Sequence, residues 1–132
     1  MIRALVMTHG RIGQELVGVV EMILGPREGL DVLSNHGLSG DDLQEKVGEW
    51  LAAAPIDDGA AAAQVIFIDD FGGSCGTAAQ LCCGQNSKVA IVSGVNLAML
   101  LGFVTWREDN DLDDLVRQVV QKGRESILRL GS

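Results

Sequence analysis

The polar residues that follow two apolar runs are the best candidates for chemistry in this sequence. His9 follows the run at residues 2–7, and Asp69 ends the run at residues 64–69. A neutral imidazole is nucleophilic near neutral pH, and a carboxylate bonded to one ring nitrogen fixes the tautomer and leaves the other nitrogen able to attack. The pair predicts a histidine that accepts a transferred group, with Asp69 as its orienting carboxylate.

The residues around this pair indicate that the transferred group is a phosphoryl group. A helix predicted just after His9 offers unbonded backbone N–H groups and the positive end of its dipole to an anion. A glycine-rich turn before a second predicted helix adds further N–H groups and a hydroxyl, without side chains that would obstruct a donor. The predicted phosphoryl-binding residues are Gly10, Arg11, Gly72, Gly73 and Ser74.

Each of these signals also has a plain structural interpretation. A histidine after a buried strand is often a turn residue, and Gly-Gly-Ser is a common turn, so only the joint placement carries the hypothesis. His36 lies in a polar loop and is interpreted as a solvated residue. The cysteines lack the spacing of a zinc site, so packing is favoured and neither a metal nor a cofactor is predicted. They are Cys75, Cys82 and Cys83.

Strands and helices alternate along the chain, which predicts an α/β fold with a single doubly wound, mostly parallel sheet and helices on both faces. Strands are expected at residues 2–7, 30–33, 64–69 and 87–94, and a loop at residues 55–63. Helices are expected at residues 11–24, from a Ser39 cap to about residue 54, from a Ser74 cap to residue 83, at residues 97–106 after Asn96, and from Asp111 or Asp113 to an interruption at Gly123. Met22 and Met99 occupy apolar helical positions and are expected in the core.

Length, charge and cysteine content restrict the class of protein. A chain of 132 residues is the size of one domain, so residues 1–132 are expected to form a single domain. A formal net charge of −8 without a basic stripe argues against binding nucleic acid. The odd number of cysteines indicates reduced thiols. Without a signal peptide or an apolar run of about 20 residues, we expect a cytoplasmic protein with no direct membrane insertion.

Taken together, three motifs resemble those of a known family. They are Thr8-His9-Gly10, Asp69-Asp70-Phe71-Gly72-Gly73-Ser74 and Gly94-Val95-Asn96-Leu97-Ala98-Met99. In this combination the chain resembles, over essentially its whole length, the mannose-type (mannose/fructose/sorbose family) enzyme IIA domain of the bacterial phosphoenolpyruvate-dependent sugar phosphotransferase system.

The resemblance implies a phosphocarrier. His9, paired with Asp69, would accept a phosphoryl group from the phosphohistidine of HPr and donate it to an enzyme IIB, expected here on a separate chain. The resemblance also implies a homodimer and strand order 2-1-3-4. A carboxyl-terminal antiparallel strand can be exchanged between subunits in this family, and residues 124–130, ambiguous between helix and strand, are the candidate.

Three residues depart from the family pattern. Cys75 and Ala98 stand where the family often has proline, and Asp70 stands at a position that is more often neutral. A second carboxylate near the phosphoryl group would repel it unless Asp70 turns away or pairs with a cation such as Arg11.

Other functions remain open from sequence alone. One is a regulatory phosphorylation sensor that acts on another protein instead of driving sugar uptake, and it would need His9 equally. Another is a receiver-like domain phosphorylated on aspartate, although such a domain should carry an acidic pair after the first strand. A third is a module that binds a small molecule in the strand-end crevice without chemistry.

Overall fold

The computed structural model describes residues 1–57, 60–83 and 85–131. In chain order the elements are β1 (Arg3–Thr8), α1 (Ile12–Leu24), β2 (Leu30–Ser34), α2 (Gly40–Ala52), β3 (Ile56–Asp57), β4 (Ala60–Ala61), β5 (Gln64–Ile68), α3 (Ser74–Cys83), β6 (Val89–Ser93), α4 (Leu97–Trp106) and α5 (Leu112–Glu125).

The main sheet has the predicted topology. Its order is β2-β1-β5-β6, and each neighbouring pair is parallel. Counting only the strands of this sheet, the order is 2-1-3-4, as the resemblance implied. The two central strands, β1 and β5, are almost continuously apolar because helices cover both of their faces.

The helices form a layer on each face of the sheet. Helices α1, α4 and α5 cover one face, where Phe67 of β5 meets Phe103 of α4 edge-to-face with ring centroids 5.6 Å apart. Helices α2 and α3 cover the opposite face, against Leu5, Met7 and Ile66. The predicted doubly wound α/β fold is therefore confirmed.

Most predicted helix starts are confirmed by their caps. Ser39 and Asp42 form a capping box at α2, Asn96 accepts from the Met99 N–H at α4, and Asp111 accepts from the Asp114 N–H at α5. Helix α3 differs, because Ser74 is its first residue instead of a cap outside it. These caps lie within a few residues of the groups they satisfy, which is why sequence reveals them.

Helix α5 corrects another prediction, because it continues through Gly123 to Glu125. A Cβ at Gly123 would lie 2.5 Å from Cε of Met99, so this glycine lets α5 pack closely on α4. Its role is packing and not helix termination.

Two smaller expectations are also corrected. The predicted loop at residues 55–63 contains the short antiparallel pair β3 and β4, with residues 58 and 59 outside the described part. Met99 is buried as predicted, but Met22 is 84% exposed, because the apolar side of α1 extends beyond the strip that packs on the sheet.

After Ser126, residues 127–131 lie outside helix and strand, so the carboxyl-terminal antiparallel strand is not formed within one chain. Its exposed apolar residues are Ile127, Leu128 and Leu130.

Among the described residues, no helix combines the length and the apolar character needed to cross a bilayer.

Candidate functional site

The candidate site lies where β1 and β5 end side by side. Met7 and Ile68 are register partners, so the residues that follow them emerge next to each other. From this point α1 departs over one face of the sheet and α3 over the other. Such a switch point opens a crevice at the carboxyl edge of a parallel sheet, and the sequence placed its candidates there.

His9 and Asp69 are in direct contact in this crevice. Nδ1 of His9 lies 2.9 Å from Oδ2 of Asp69, and the backbone N–H of His9 donates to the same oxygen at 3.0 Å. The other carboxylate oxygen accepts from the N–H of Asp70 at 3.0 Å. Because a carboxylate can only accept, Nδ1 carries the ring proton and Nε2 keeps its lone pair.

Asp69 stays ionised at neutral pH. Burial raises its pKa, but the hydrogen bonds from the His9 backbone and ring, together with the charge of that ring when protonated, outweigh burial and lower the pKa below its ordinary value. The side chain of His9 is 44% exposed and that of Asp69 is 15% exposed. The arrangement leaves Nε2 of the ring chemically able to act as a nucleophile, with a fixed negative charge at Nδ1.

The turn between β5 and α3 lies against the Cε1 and Nε2 edge of the ring. A Cβ at Gly73 would be 2.8 Å from Cε1 of His9 and 3.1 Å from Nε2, so a side chain there would collide with the ring. Helix α3 begins at the next residue, Ser74. Nε2 thus faces the amino end of a helix, where backbone N–H groups and the helix dipole favour an anion.

The turn between β1 and α1 is held by the side-chain oxygens of Thr8 and Asn35. Thr8 is buried, and its Oγ1 accepts from the N–H of Gly13 at 2.8 Å. Gly10 adopts φ +54°, a conformation that suits glycine, and its N–H donates to Oδ1 of Asn35 at 3.2 Å. Sequence reasoning missed Asn35, although its position just after β2, beside β1 in the sheet, was an available signal.

Two charged side chains near the site form hydrogen bonds with residues close to them in sequence. The exposed guanidinium of Arg11 donates to Glu15 at 3.2 Å, one turn along α1. Asp70 is exposed, and its Oδ1 accepts from the N–H of Gly72 at 3.3 Å. Asp70 is therefore turned onto its own loop, and the suggested pairing with Arg11 does not form.

In the third strand-end turn, after β6, the polar residue Asn96 has a structural role. Besides capping α4, Asn96 donates through Nδ2 to the carbonyl of Gly123 at 3.2 Å.

His36 is exposed, in agreement with its interpretation as a solvated loop residue, and it lines a shallow cavity of about 490 Å³ together with Gly10 and Arg11.

The cysteines lie on α3, and one of them is close to the site. Burial and the charge of Asp69 raise the pKa of the Cys75 thiol to about 11, so it is protonated at neutral pH. The Cys82 thiol donates a hydrogen bond to the carbonyl oxygen of Gln44, and the Cys83 thiol donates one to the carbonyl oxygen of Ala79. Packing, as predicted, accounts for these last two.

Comparisons with known proteins agree with this geometry. The family model described as the PTS system fructose IIA component (EIIA-man) matches residues 3–120. The chain is 30% identical over 125 residues to the PTS system mannose-specific EIIAB component of Escherichia coli and to that of Shigella flexneri. These matches cover 93% of this chain but 38% of each relative, so the chain spans well under half of their length.

Solved structures share the fold at lower identity. The phosphotransferase system component EIIA from Streptococcus agalactiae superposes with a TM-score of 0.87 at 22% identity, covering 98% of this chain and 97% of that one. The mannose/sorbose specific IIA subunit from Enterococcus faecalis gives a TM-score of 0.80 at 20% identity, covering 98% and 95%.

Proposed function

The chain belongs to the EIIA-man family of phosphotransferase system components, and from that premise we propose that it is a phosphocarrier in which Nε2 of His9 accepts a phosphoryl group from phospho-HPr and passes it to an enzyme IIB. The observation that carries the proposal is the contact of 2.9 Å between Nδ1 of His9 and Asp69, with the opposite edge of the ring against Gly73.

In the proposed transfer, the bond from phosphorus to the HPr histidine breaks as a bond to Nε2 of His9 forms. Nδ1 keeps its proton and its hydrogen bond to Asp69, so the phosphorylated ring carries a positive charge beside the carboxylate. This charge pairing stabilises the phosphohistidine, and the phosphoryl group can still be transferred onward. Transfer to enzyme IIB is the same step with His9 as the leaving group.

The proposed phosphoryl-binding residues are Gly10, Arg11, Gly72, Gly73 and Ser74. Backbone N–H groups at the two turns, the Ser74 hydroxyl and the dipole of α3 would bind the equatorial oxygens, with the N–H groups of Gly10 and Gly72 leaving their present acceptors, Asn35 and Asp70. Arg11 would have to exchange its exposed contact with Glu15 for a phosphoryl oxygen, a small cost because exposed ion pairs are weak.

The surface around His9 suits a protein partner. An apolar hollow of about 520 Å³ lies beside Arg11 and is lined by Ile12, Leu16, Val19 and Leu97, among others. The net charge of −8 favours approach of a basic partner. We therefore propose that HPr and enzyme IIB dock here. We also propose that residues 1–132 form one domain and that the transfer takes place in the cytoplasm.

The test is incubation with phosphoenolpyruvate, enzyme I and HPr, followed by intact-mass measurement. The wild-type chain should gain one phosphoryl group that is lost in acid and survives alkali, whereas an acyl phosphate on aspartate would be lost in alkali. His9→Ala should gain none, because it removes the imidazole that accepts the phosphoryl group in the proposed mechanism.

His36→Ala is the matched control, since it removes the chain's second histidine from the cavity beside Gly10. It should be phosphorylated like the wild type. Phosphorylation of folded His9→Ala would contradict the proposal, and loss in His36→Ala would move the acceptor to the neighbouring loop.

We also propose a homodimer formed by exchange of the carboxyl-terminal segment. Ile127, Leu128 and Leu130 expose apolar surface that a second copy could bury. Ile127→Ser combined with Leu128→Ser should shift sedimentation from dimer to monomer at micromolar concentration. Ile56→Ser, which removes a similarly exposed isoleucine elsewhere (75% against 78%), should remain dimeric. A wild-type monomer would rule out the exchange.

A further inference from the structure

His9, Asp69 and Cys75 present three different metal-ligating groups at one place. A ring nitrogen, a carboxylate oxygen and the Cys75 Sγ all lie within 4.8 Å of one another. Cys75 is fully buried at the start of α3, and the proposed phosphoryl transfer makes no use of its thiol. We propose that these three residues form a zinc site, and that bound zinc and phosphoryl acceptance exclude each other.

The donor set selects the class of metal. Zn²⁺ takes imidazole nitrogen, thiolate sulfur and carboxylate oxygen at about 2.0–2.3 Å, and sites with three protein ligands keep a fourth position for water. Mg²⁺ and Ca²⁺ prefer oxygen alone and gain little from the sulfur and nitrogen here. The side chain of His9 is 44% exposed, so the site has an entry from solvent.

The existing distances need only side-chain adjustment. Ligands around a tetrahedral zinc at those bond lengths are about 3.3–3.7 Å apart. The 2.9 Å contact between His9 and Asp69 must open slightly, and the longest separation, at most 4.8 Å, must shorten. Each change is within the reach of χ rotations, without a shift of β1 or β5.

Charge and proton balance favour binding. The site holds one negative charge, on Asp69, and gains a second when the Cys75 thiol gives up its proton to solvent. Zn²⁺ then neutralises both, with one proton released for each ion bound. Binding therefore changes the net charge of the partly buried site from −1, on Asp69, to zero.

The exclusion rests on the proposed phosphocarrier function and follows from the two nitrogens of His9. A metal on Nδ1 displaces the ring proton to Nε2, which then has no lone pair for phosphorus. A metal on Nε2 uses that lone pair directly. Conversely, a ring phosphorylated on Nε2 and protonated on Nδ1 has no nitrogen left for zinc.

The binding test uses the full chain and the metal alone. Equilibrium dialysis with Zn²⁺ should give one ion per chain, and Co²⁺ in its place should show a thiolate-to-metal absorption band. Cys75→Ala should lose the band and weaken zinc affinity at least about tenfold. Cys83→Ala, another buried cysteine of α3, should keep both. No bound zinc, or equal binding by Cys75→Ala, would overturn the site.

Cys75→Ser is a second variant of nearly equal volume, to be used if the alanine variant does not fold. Serine is a poor zinc ligand, so the same loss of the band is expected, and a retained band would overturn the role of Cys75.

The exclusion is tested by comparing each variant's rate of phosphorylation with and without zinc. Zinc should slow the wild type and Cys83→Ala, while the ratio for Cys75→Ala stays near one, which also controls for effects of zinc on the donor proteins. Equal rates for zinc-loaded and zinc-free wild type would overturn the exclusion alone. A chain that accepts no phosphoryl group without zinc would overturn the proposed function, while dialysis would still decide the zinc site.

Discussion

The two turns that build the candidate site have opposite characters. The first, between β1 and α1, holds His9 in a turn fastened by the buried Thr8 hydroxyl and by Asn35. The second, between β5 and α3, holds Asp69 and then brings Gly73, which has no side chain, directly against the ring. One turn positions the imidazole, and the other provides the carboxylate at Nδ1 and a close backbone approach at the Nε2 edge.

The helices that follow the two turns also pack differently against the preceding residues. Both α1 and α3 carry a glycine near their start, Gly13 and Gly76. A Cβ at Gly13 would lie 3.1 Å from the Thr8 hydroxyl and 3.2 Å from the Val6 carbonyl oxygen, contacts that a shift of a few tenths of an ångström relieves. A Cβ at Gly76 would overlap the backbone carbonyl oxygen of Phe71. The second turn is therefore the less adaptable of the two.

The largest expected effect separates the two carboxylates of the second turn. Asp69→Asn should slow phosphoryl acceptance by His9 by about 10²- to 10⁴-fold, because the amide no longer balances the ring's charge and permits the wrong tautomer. Asp70→Asn should change the rate less than about tenfold, because its side chain bonds its own loop. Rapid-quench phosphorylation of both variants measures this, and a larger loss in Asp70→Asn would reverse the assignment.

A smaller effect is expected where the second turn leaves space for the ring. Gly73→Ala places a methyl group 2.8 Å from Cε1 of His9, so the imidazole must move away from its present position. We expect acceptance to fall by about 10- to 100-fold, since misplacement by 1 Å can have that consequence.

Gly72→Ala is the control for this change, because a Cβ there meets only the Asp70 carboxylate, at 3.9 Å. It should retain most of the rate. If Gly73→Ala matched Gly72→Ala, the space at Gly73 would have no part in positioning the ring.

The smallest effects concern stability and test which turn is less adaptable. Gly76→Ala should lower the free energy of unfolding by about 3 kcal/mol, because neither the helix nor the Phe71 backbone can yield easily. Gly13→Ala should lower it by only about 1 kcal/mol, since its contacts with Thr8 and Val6, at 3.1–3.2 Å, need to lengthen by only a few tenths of an ångström.

Gly18→Ala is the matched control on the exposed side of α1, with no atom within 4 Å of the added Cβ. It should stabilise the protein by about 0.5–1 kcal/mol through helix propensity. Urea denaturation of the three variants gives the order, and an equal loss for Gly13→Ala and Gly76→Ala would remove the difference between the turns.

The sequence by itself determined the features that depend on neighbours along the chain. The apolar runs of β1 and β5 predicted strands, and Ser39, Asn96 and Asp111 predicted helix starts, because strand formation and capping are set within a few residues. The positions of His9 and Asp69 at strand ends were visible for the same reason. Their roles in phosphoryl transfer remain predictions.

Only the tertiary structure decided which side chains meet. The parallel register of Met7 with Ile68 brings His9 to Asp69 across sixty positions of sequence, and it places Cys75 beside them. Gly123 had the local character of a helix breaker, but its contact with Met99 made it a packing position. Met22 had the local character of a core residue, but it lies outside the strip of α1 that packs on the sheet. Local spacing encodes the elements, whereas contacts between distant residues depend on how the elements pack, which no short window of sequence contains.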